Sequence, residues 1–253
     1  MRAPVSAVLI TLNAARSLDA TLASLAFADE VLIVDSGSTD GTRQIAEARG
    51  ARFVDMAWHG FGRQKQRAVE AAKHEWVLCV DADEVVSAEL RRAVEAALST
   101  RTAKVYAMPR CNRFMGRWLR HGEGYPDWSV RLFDRRAARW SDDAVHERVL
   151  TVSAVERLRG DLMHDSAETL ASYLAKQQRY TDLQAARLAH DGRVSNFVRM
   201  LFSPVMRFIR FYFVRAGFLD GMPGLAHILI GCKNSFDKYA KALRGPGLPA
   251  SEK

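Results

Sequence analysis

Residues 76–98 read WVLCVDADEVVSAELRRAVEAAL. Five apolar residues run without interruption to Val80, which is the pattern of a strand buried on both faces. Two carboxylates follow, Asp81 and Asp83, separated by one small residue. Ser87 then stands where an N-cap belongs, ahead of a helix predicted over 87–98. An apolar strand that ends in acids and hands over to a capped helix is one repeat of an α/β chain.

The same rhythm extends toward the N-terminus. Apolar runs at 6–12, 30–35 and 51–56 predict three more strands, and stretches at 17–27, 39–50 and near 64–73 predict the helices between them. Gly50 suits the C-terminal cap of the second helix. Strands recurring at intervals of about 20 to 25 residues are the mark of βαβ units and a parallel sheet. Past residue 100 the rhythm loosens. Strands are expected at 105–110 and 130–136, an Arg-, Gly- and aromatic-rich loop between them, and a long helix over 167–189. The expected organisation is an α/β half over 1–100, a second half of the same domain over 101–190, and a basic helical tail over 191–253.

Charge and cysteine content narrow the setting. The net charge is +8 over 253 residues, but residues 192–253 hold ten Lys or Arg against three acids, leaving about +1 for the body. A basic tail on a near-neutral body predicts an acidic surface partner, lipid headgroups or nucleic acid. Cys79, Cys111 and Cys232 are odd in number and far apart, against a disulfide framework or a cysteine-built zinc site and in favour of a reducing cytoplasmic setting. The N-terminal apolar stretch is short of the roughly 20 residues of a membrane span and reads as the first strand, not a signal peptide.

Ligands of open α/β sheets bind beyond the carboxyl ends of the strands. Thr11 and Asn13 end the first strand, DSGSTDGT (35–42) ends the second, and DAD (81–83) ends the fourth, so three polar signals converge on one edge. Asp35 offers acceptor oxygens to a ribose or a base N–H. The plainer reading of the same residues is a strand–turn–helix connector, since Ser, Gly, Asp and Thr also build turns and caps. Asp81 and Asp83, taken as i and i+2 on an extended strand end, would point the same way and share a hard divalent cation. The plainer reading there is two exposed loop acids.

The ordered set TLN (11–13), VDSGSTDGT (34–42), GRQKQRA (62–68) and VLCVDADE (77–84) resembles the family 2 glycosyltransferases, over roughly residues 5 to 150. GYPDWSVRLFDRR (124–136), AVHERV (144–149) and GDLMHDS (160–166) further resemble the bacterial lipopolysaccharide-core β-glucosyltransferases. The resemblance implies a GT-A fold, Rossmann-like, with a mostly parallel sheet flanked by helices, here with a C-terminal amphipathic helical extension. It implies an inverting transfer of a hexose, glucose above others, from a UDP-sugar with Mg²⁺ or Mn²⁺. It places Thr11, Asn13 and Asp35 at the nucleotide, Asp35 on the uracil or ribose, Asp81 at ribose and metal, Asp83 on the metal, and Lys65 or Arg67 near the diphosphate. The plainer role of Lys65 and Arg67 is a solvated helix face.

Glycosyl transfer needs a Lewis acid for the departing diphosphate and a base for the acceptor hydroxyl. Asp127, in YPDW among Tyr125, Trp128 and Trp118, is the candidate base, although Pro126 stands where many members of the family carry an acid; Glu147 is the rival. His146 and His164 are candidates for a further metal ligand or a diphosphate contact. Arg131, Arg135 and Arg136 are candidates for acceptor phosphates.

The stretch SNFVRMLFSPVMRFIRFYFVRAGF (195–218) joins large apolar residues to Arg199, Arg207, Arg210 and Arg215. It predicts an in-plane helix pair broken near Pro204, lying on an anionic membrane, the alternative being a helix packed on the domain. The expected acceptor is a lipopolysaccharide core or related glycolipid, with a polyprenyl phosphate as the alternative, and the expected location is peripheral, on the cytoplasmic face of a bacterial inner membrane. Two other classes compete. A haloacid-dehalogenase-like phosphatase would want a hydroxyl where Val85 stands. A basic lipid- or nucleic-acid-binding protein without catalysis would use the charge alone, but the excess lies in an apolar aromatic tail, so no nucleic acid is expected.

Overall fold

The computed structural model describes residues 1–143, 147–166, 169–188 and 193–244. The chain divides into two compact units, Met1–Cys111 with Asp127–Asp165, and Asn112–Pro126 with Ser166–Lys253. The stretch 101–190, expected as one half, contributes to both.

In the first unit, strands β1 (Val5–Thr11), β2 (Glu30–Asp35), β3 (Arg52–Asp55) and β4 (Trp76–Cys79) run parallel in the order β3-β2-β1-β4. Helices α1 (Leu18–Ser24), α2 (Thr42–Ala48) and α3 (Phe61–Ala71) connect them. Period-two alternation sends successive residues to opposite faces. Val5, Ala7, Leu9, Ile33 and Leu78 join one core with Leu18 and Leu22, while Val8, Leu32, Val34, Val77 and Cys79 join another with Ala68 and Val69. Both faces are covered, which is why these strands read as unbroken apolar runs.

Beyond β4 the sheet continues through β5 (Glu84–Val86), β6 (Val105–Phe114), β8 (Asp127–Asp134) and β12 (Leu162–His164) in the order β4-β8-β6-β12-β5. Here β8 is antiparallel to both β4 and β6, and β12 to β5. Helix α4 (Ala88–Thr100) follows β5, and the Ser87 hydroxyl accepts from Leu90 N–H, the cap expected from sequence. A two-stranded ribbon, β9 (Ala138–Trp140) with β10 (Val149–Thr151), and β11 (Val155–Arg157), paired to β6, complete the unit. The expected α/β architecture is present, its N-terminal half parallel and its remainder mostly antiparallel, with β11 parallel to β6.

In the second unit the end of β6 pairs with β7 (Arg117–Trp118), so part of the expected irregular loop is a hairpin. The unit also holds α5 (Leu170–Leu188), α6 (Arg193–Phe208) and α7 (Gly221–Arg244), with a π-helical stretch over Ile209–Val214 and a 3₁₀ turn over Gly217–Asp220. The expected C-terminal helical extension is there, but its break is not at the proline. Helix α6 runs through Pro204, and the chain turns at Ala216, in the left-handed region at φ 51°. Proline removes one N–H from the helical ladder; here the helix absorbs that loss and bends later, by 75° between Ser195–Val214 and Gly217–Arg244. Two acceptor sets tie the unit together. Asp220 takes the backbone N–H groups of Arg120 and His121, and Arg207 pairs with Glu123 and donates to Ser235.

Candidate active site

The strand order 3-2-1-4 reverses direction between β1 and β4, and crevices in α/β sheets open at the carboxyl ends beside such a switch. A crevice is found there, lined by Val8, Ile10, Lys65, Ala68, Cys79, Val80 and Asp81.

On one side, Thr11 and Asp35 close β1 and β2 in register. The Thr11 hydroxyl donates to Asp35 at 2.6 Å, and the Gly37 and Ser38 amides donate to its other oxygen at 2.9 and 2.7 Å. Asp35 is 1% exposed. Burial would raise its pKa, but these bonds and the Ser38 hydroxyl hold it below the usual carboxylate range. Gly37 sits at φ 99°, where a side chain would be strained. Asn13, at φ 52°, accepts from Thr39 N–H at 2.9 Å and locks the first loop to the second. Thr11, Asn13 and Asp35 are therefore brought together, with the carboxylate of Asp35 engaged by its own turn.

On the other side, the acids after β4 are not on an extended strand. The strand ends at Cys79, and Ala82–Asp83 form a turn closed by Glu84 N–H to the Asp81 carbonyl at 3.0 Å. Thr21 donates to the Ala82 carbonyl, and Asp165 N–H to that of Asp83. A turn sends the two carboxylates to different partners, so the alternation expected for i and i+2 does not apply. Asp83 lies 3.4 Å from His164 Nε2, because β12 pairs with β5 in the register His164↔Glu84. Asp81 turns inward between two cations, 3.0 Å from Lys65 and 2.7 Å from Arg131.

That contact belongs to a chain of alternating charge. Glu147 accepts from Lys65 at 2.9 Å, Lys65 meets Asp81, Asp81 meets Arg131, and Arg131 meets Glu84 at 2.8 Å. Arg110 continues it, 3.7 Å from Glu84 and 2.7 Å from Asp127. The two candidate bases stand at its two ends. Glu84 and Arg131 are buried, at 0% and 4% exposure. Burial works against the Asp81 carboxylate, yet Arg131 and Lys65 hold it well below the usual range. Burial pushes Glu84 up, with Arg131 pulling against it. Trp140 backs the chain, its ring 4.8 Å from the Lys65 ammonium. Lys65 reaches this place because Gly62 lets α3 approach the backbone closely; a Cβ there would lie 2.1 Å from the Ser141 carbonyl.

Other expectations fall elsewhere. Arg67 lies on the exposed side of α3. His146 lies outside the described residues. Of Arg131, Arg135 and Arg136, only Arg136 is largely exposed. Arg131 is enclosed because β8 runs inside the sheet, Arg135 donates to the Ala72 carbonyl at the end of α3, and Arg136 to Asp134. Sequence reasoning missed Glu84, Arg110 and the inward role of Arg131. An arginine beside Leu132 and Phe133 was the available signal, since a buried guanidinium needs acids across the sheet.

Four carboxylates, those of Asp81, Glu84, Asp127 and Glu147, meet three cations along this edge, Lys65, Arg110 and Arg131, and a fifth, that of Asp83, faces His164. The surplus of carboxylates over cations suits a divalent cation. Among the described residues no group of three metal-ligating side chains occurs. Asp83 and His164, 3.4 Å apart, are a carboxylate and an imidazole that could supply two ligands to a cation whose other positions go to substrate phosphates.

Three comparisons bear on the chain. A family model, Glycosyl transferase family 2, matches residues 6–158. A lipopolysaccharide core biosynthesis glycosyltransferase, LpsC, of Rhizobium meliloti is 28% identical over 261 residues, 95% of each chain. An uncharacterized glycosyltransferase of Rickettsia bellii is 27% identical, over 94% of this chain and 85% of its own. Among solved structures, glucosyl-3-phosphoglycerate synthase from Mycobacterium tuberculosis, in complex with Mn²⁺, UDP and glucosyl-3-phosphoglycerate, aligns at 25% identity and a TM-score of 0.37, over 44% of each chain.

Proposed function

We infer the reaction from one premise: the chain belongs to glycosyl transferase family 2. The proposed activity is inverting transfer of a hexose, glucose above others, from a UDP-sugar to a lipopolysaccharide-core or related glycolipid acceptor. The similarity to LpsC over 95% of both chains supports that acceptor class over a polyprenyl phosphate. The observation that carries the reading is the acidic edge beside β4, where Asp83 and His164 face each other next to a carboxylate already neutralised by Lys65 and Arg131.

In this reading the nucleoside lies against the loops fixed by Thr11, Asn13 and Asp35. Asp35 acts by holding its turn, since its oxygens accept from that turn's own groups. Asp83 and His164 would hold the divalent cation, which would supply the Lewis acid that offsets charge on the departing diphosphate. An imidazole ligand favours Mn²⁺ over Mg²⁺, whose sites are built from oxygen. Asp81 orients Lys65, and Lys65 meets the diphosphate at its other side. Asp127, whose side chain is 39% exposed, takes the proton of the acceptor hydroxyl, aimed by Arg110. Glu147, at 18% and bound to Lys65, is the less accessible end of the chain of charges and positions that lysine.

Thermal unfolding of the full chain with a panel of nucleotide diphosphosugars tests the donor. A UDP-sugar should raise the melting temperature with Mn²⁺ present and much less without it. Stabilisation by a different nucleotide, or equal stabilisation in chelator, contradicts the assignment.

A further inference from the structure

We propose that the outer face of α6, continued through the π-helical stretch after it, is a docking surface for an anionic lipid bilayer. This helix is built inside out. Its inward side holds Asn196, at 1% exposure, and Arg207, engaged by Glu123 and Ser235. Its outward side holds Phe197, Leu201, Phe202, Val205 and Met206, between 49% and 63% exposed, and Phe213 follows at 58%. At about 100° per residue the five on α6 span roughly half the circumference. Exposed apolar area of this extent and continuity marks an interaction site rather than ordinary surface.

Charge identifies the occupant. From Arg193 to Leu219 the sequence contains five arginines and no acid. Arg199 and Arg210 are exposed, and Arg199 borders the Met206 side of the apolar arc. A second copy of this chain would bring two arginine-rimmed faces together, like charge on like. Nucleic acid would meet the arginines but leave the aromatic face in water. A bilayer with anionic headgroups meets both, taking the apolar residues at the acyl boundary and the guanidiniums at the phosphates. The opposite side of α6 packs along α7, so one face alone is presented, as for a helix lying in the plane of the interface. Among the described residues no single helix is long and apolar enough to cross a membrane.

The inference deepens the acceptor part of the proposed function and rests on it for its purpose, because a lipid-anchored acceptor is met at the surface on which the enzyme sits. Its test uses neither donor nor metal, so failure here leaves the transfer reading standing, and failure of transfer leaves this one. Full-length protein is sedimented with phosphatidylcholine vesicles, with and without phosphatidylglycerol. It should bind the anionic vesicles and release them at high salt. The pair Phe202→Ser and Phe213→Ser should lower partitioning at least about tenfold while the chain stays folded, from the apolar area withdrawn from lipid. Arg210→Gln should lower it about fivefold at low salt and less at high salt. Wild-type protein that ignores anionic vesicles overturns the proposal, as does a Phe pair variant that binds like wild type. A dimer dissolved by that same pair also overturns it, by showing that a second copy covers the face.

Discussion

The edge of the sheet beside β4 and the outer face of α6 solve opposite problems. At the edge, charge is buried: Glu84 and Arg131 are almost wholly enclosed, and each is tolerated because an opposite charge lies within 3 Å. On α6, apolar surface is exposed and a guanidinium is turned inward against Glu123. Desolvation makes the first arrangement fragile, since removing one partner strands the other. The second should be indifferent to substitution in water and sensitive only when its partner is present. The two regions differ in what supplies their missing contacts. At the edge the chain supplies most of them itself, whereas the α6 face awaits something from outside.

The largest expected effect is on turnover. Asp127→Asn should lower kcat by about 10²- to 10⁴-fold, the usual contribution of a positioned base, with donor binding unchanged. Steady-state kinetics beside calorimetric UDP binding separates the two quantities. If Glu147→Gln shows this pattern and Asp127→Asn does not, the ends of the charge chain have exchanged roles.

Next comes stability at the edge. Arg131→Met should destabilise the first unit by about 3–5 kcal/mol, because Glu84 is left buried with Arg110 3.7 Å away as its nearest cation. Denaturant unfolding measures this directly. A loss under about 1 kcal/mol would show that the alternating chain is not what tolerates the burial.

The second unit has a titratable counterpart. His227, whose Nε2 lies 3.1 Å from the Tyr173 hydroxyl, has its pKa pushed down to about 4 by burial, with Arg207 adding to the shift. A depressed histidine binds its proton more readily when unfolded. Its contribution is therefore complete above about pH 6.5 and is lost as pH falls toward 4, on the order of 3 kcal/mol across that window. Unfolding followed from pH 7 to 4 should show this slope, and His227→Asn should flatten it. An equal slope in both proteins removes His227 as its source.

The smallest effect closes the contrast. Phe202→Ser, in solution and without lipid, should change stability by no more than about 0.5 kcal/mol, as for a substitution away from packed contacts. A loss of 2 kcal/mol or more, roughly that of a buried side chain, would mean that Phe202 is covered in the folded chain.

The sequence made the architecture legible where burial on both faces writes itself as unbroken apolar runs, as in β1, β2 and β4. It also located Thr11, Asn13, Asp35, Asp81 and Asp83 on one edge, because strand ends and caps are local signals, whereas Lys65, inside α3, was placed there only by the family resemblance. What it could not show depends on strand order and register. Arg131 and Glu84 meet because β8 lies beside β4, and His164 faces Asp83 because of one antiparallel register. Neither fact is written within a dozen residues of the side chains concerned. The turn at Ala82–Asp83 was hidden for a different reason: an apolar run followed by D-x-D looks the same whether the strand continues or stops. Pro204 misled because a helix packed along one side can lose a single hydrogen bond without breaking there.

The central claim is that Asp83, with His164, holds the cation that joins this edge to a nucleoside diphosphate. Calorimetric titration of UDP into full-length protein across a series of Mn²⁺ concentrations, for wild type and Asp83→Ala, tests it most directly. Mn²⁺ should raise wild-type affinity at least about tenfold, a change of roughly 1.4 kcal/mol, and Asp83→Ala should lose this dependence while melting as wild type does. Equal Mn²⁺ dependence in both proteins, or UDP affinity in wild type that ignores the cation, would contradict it.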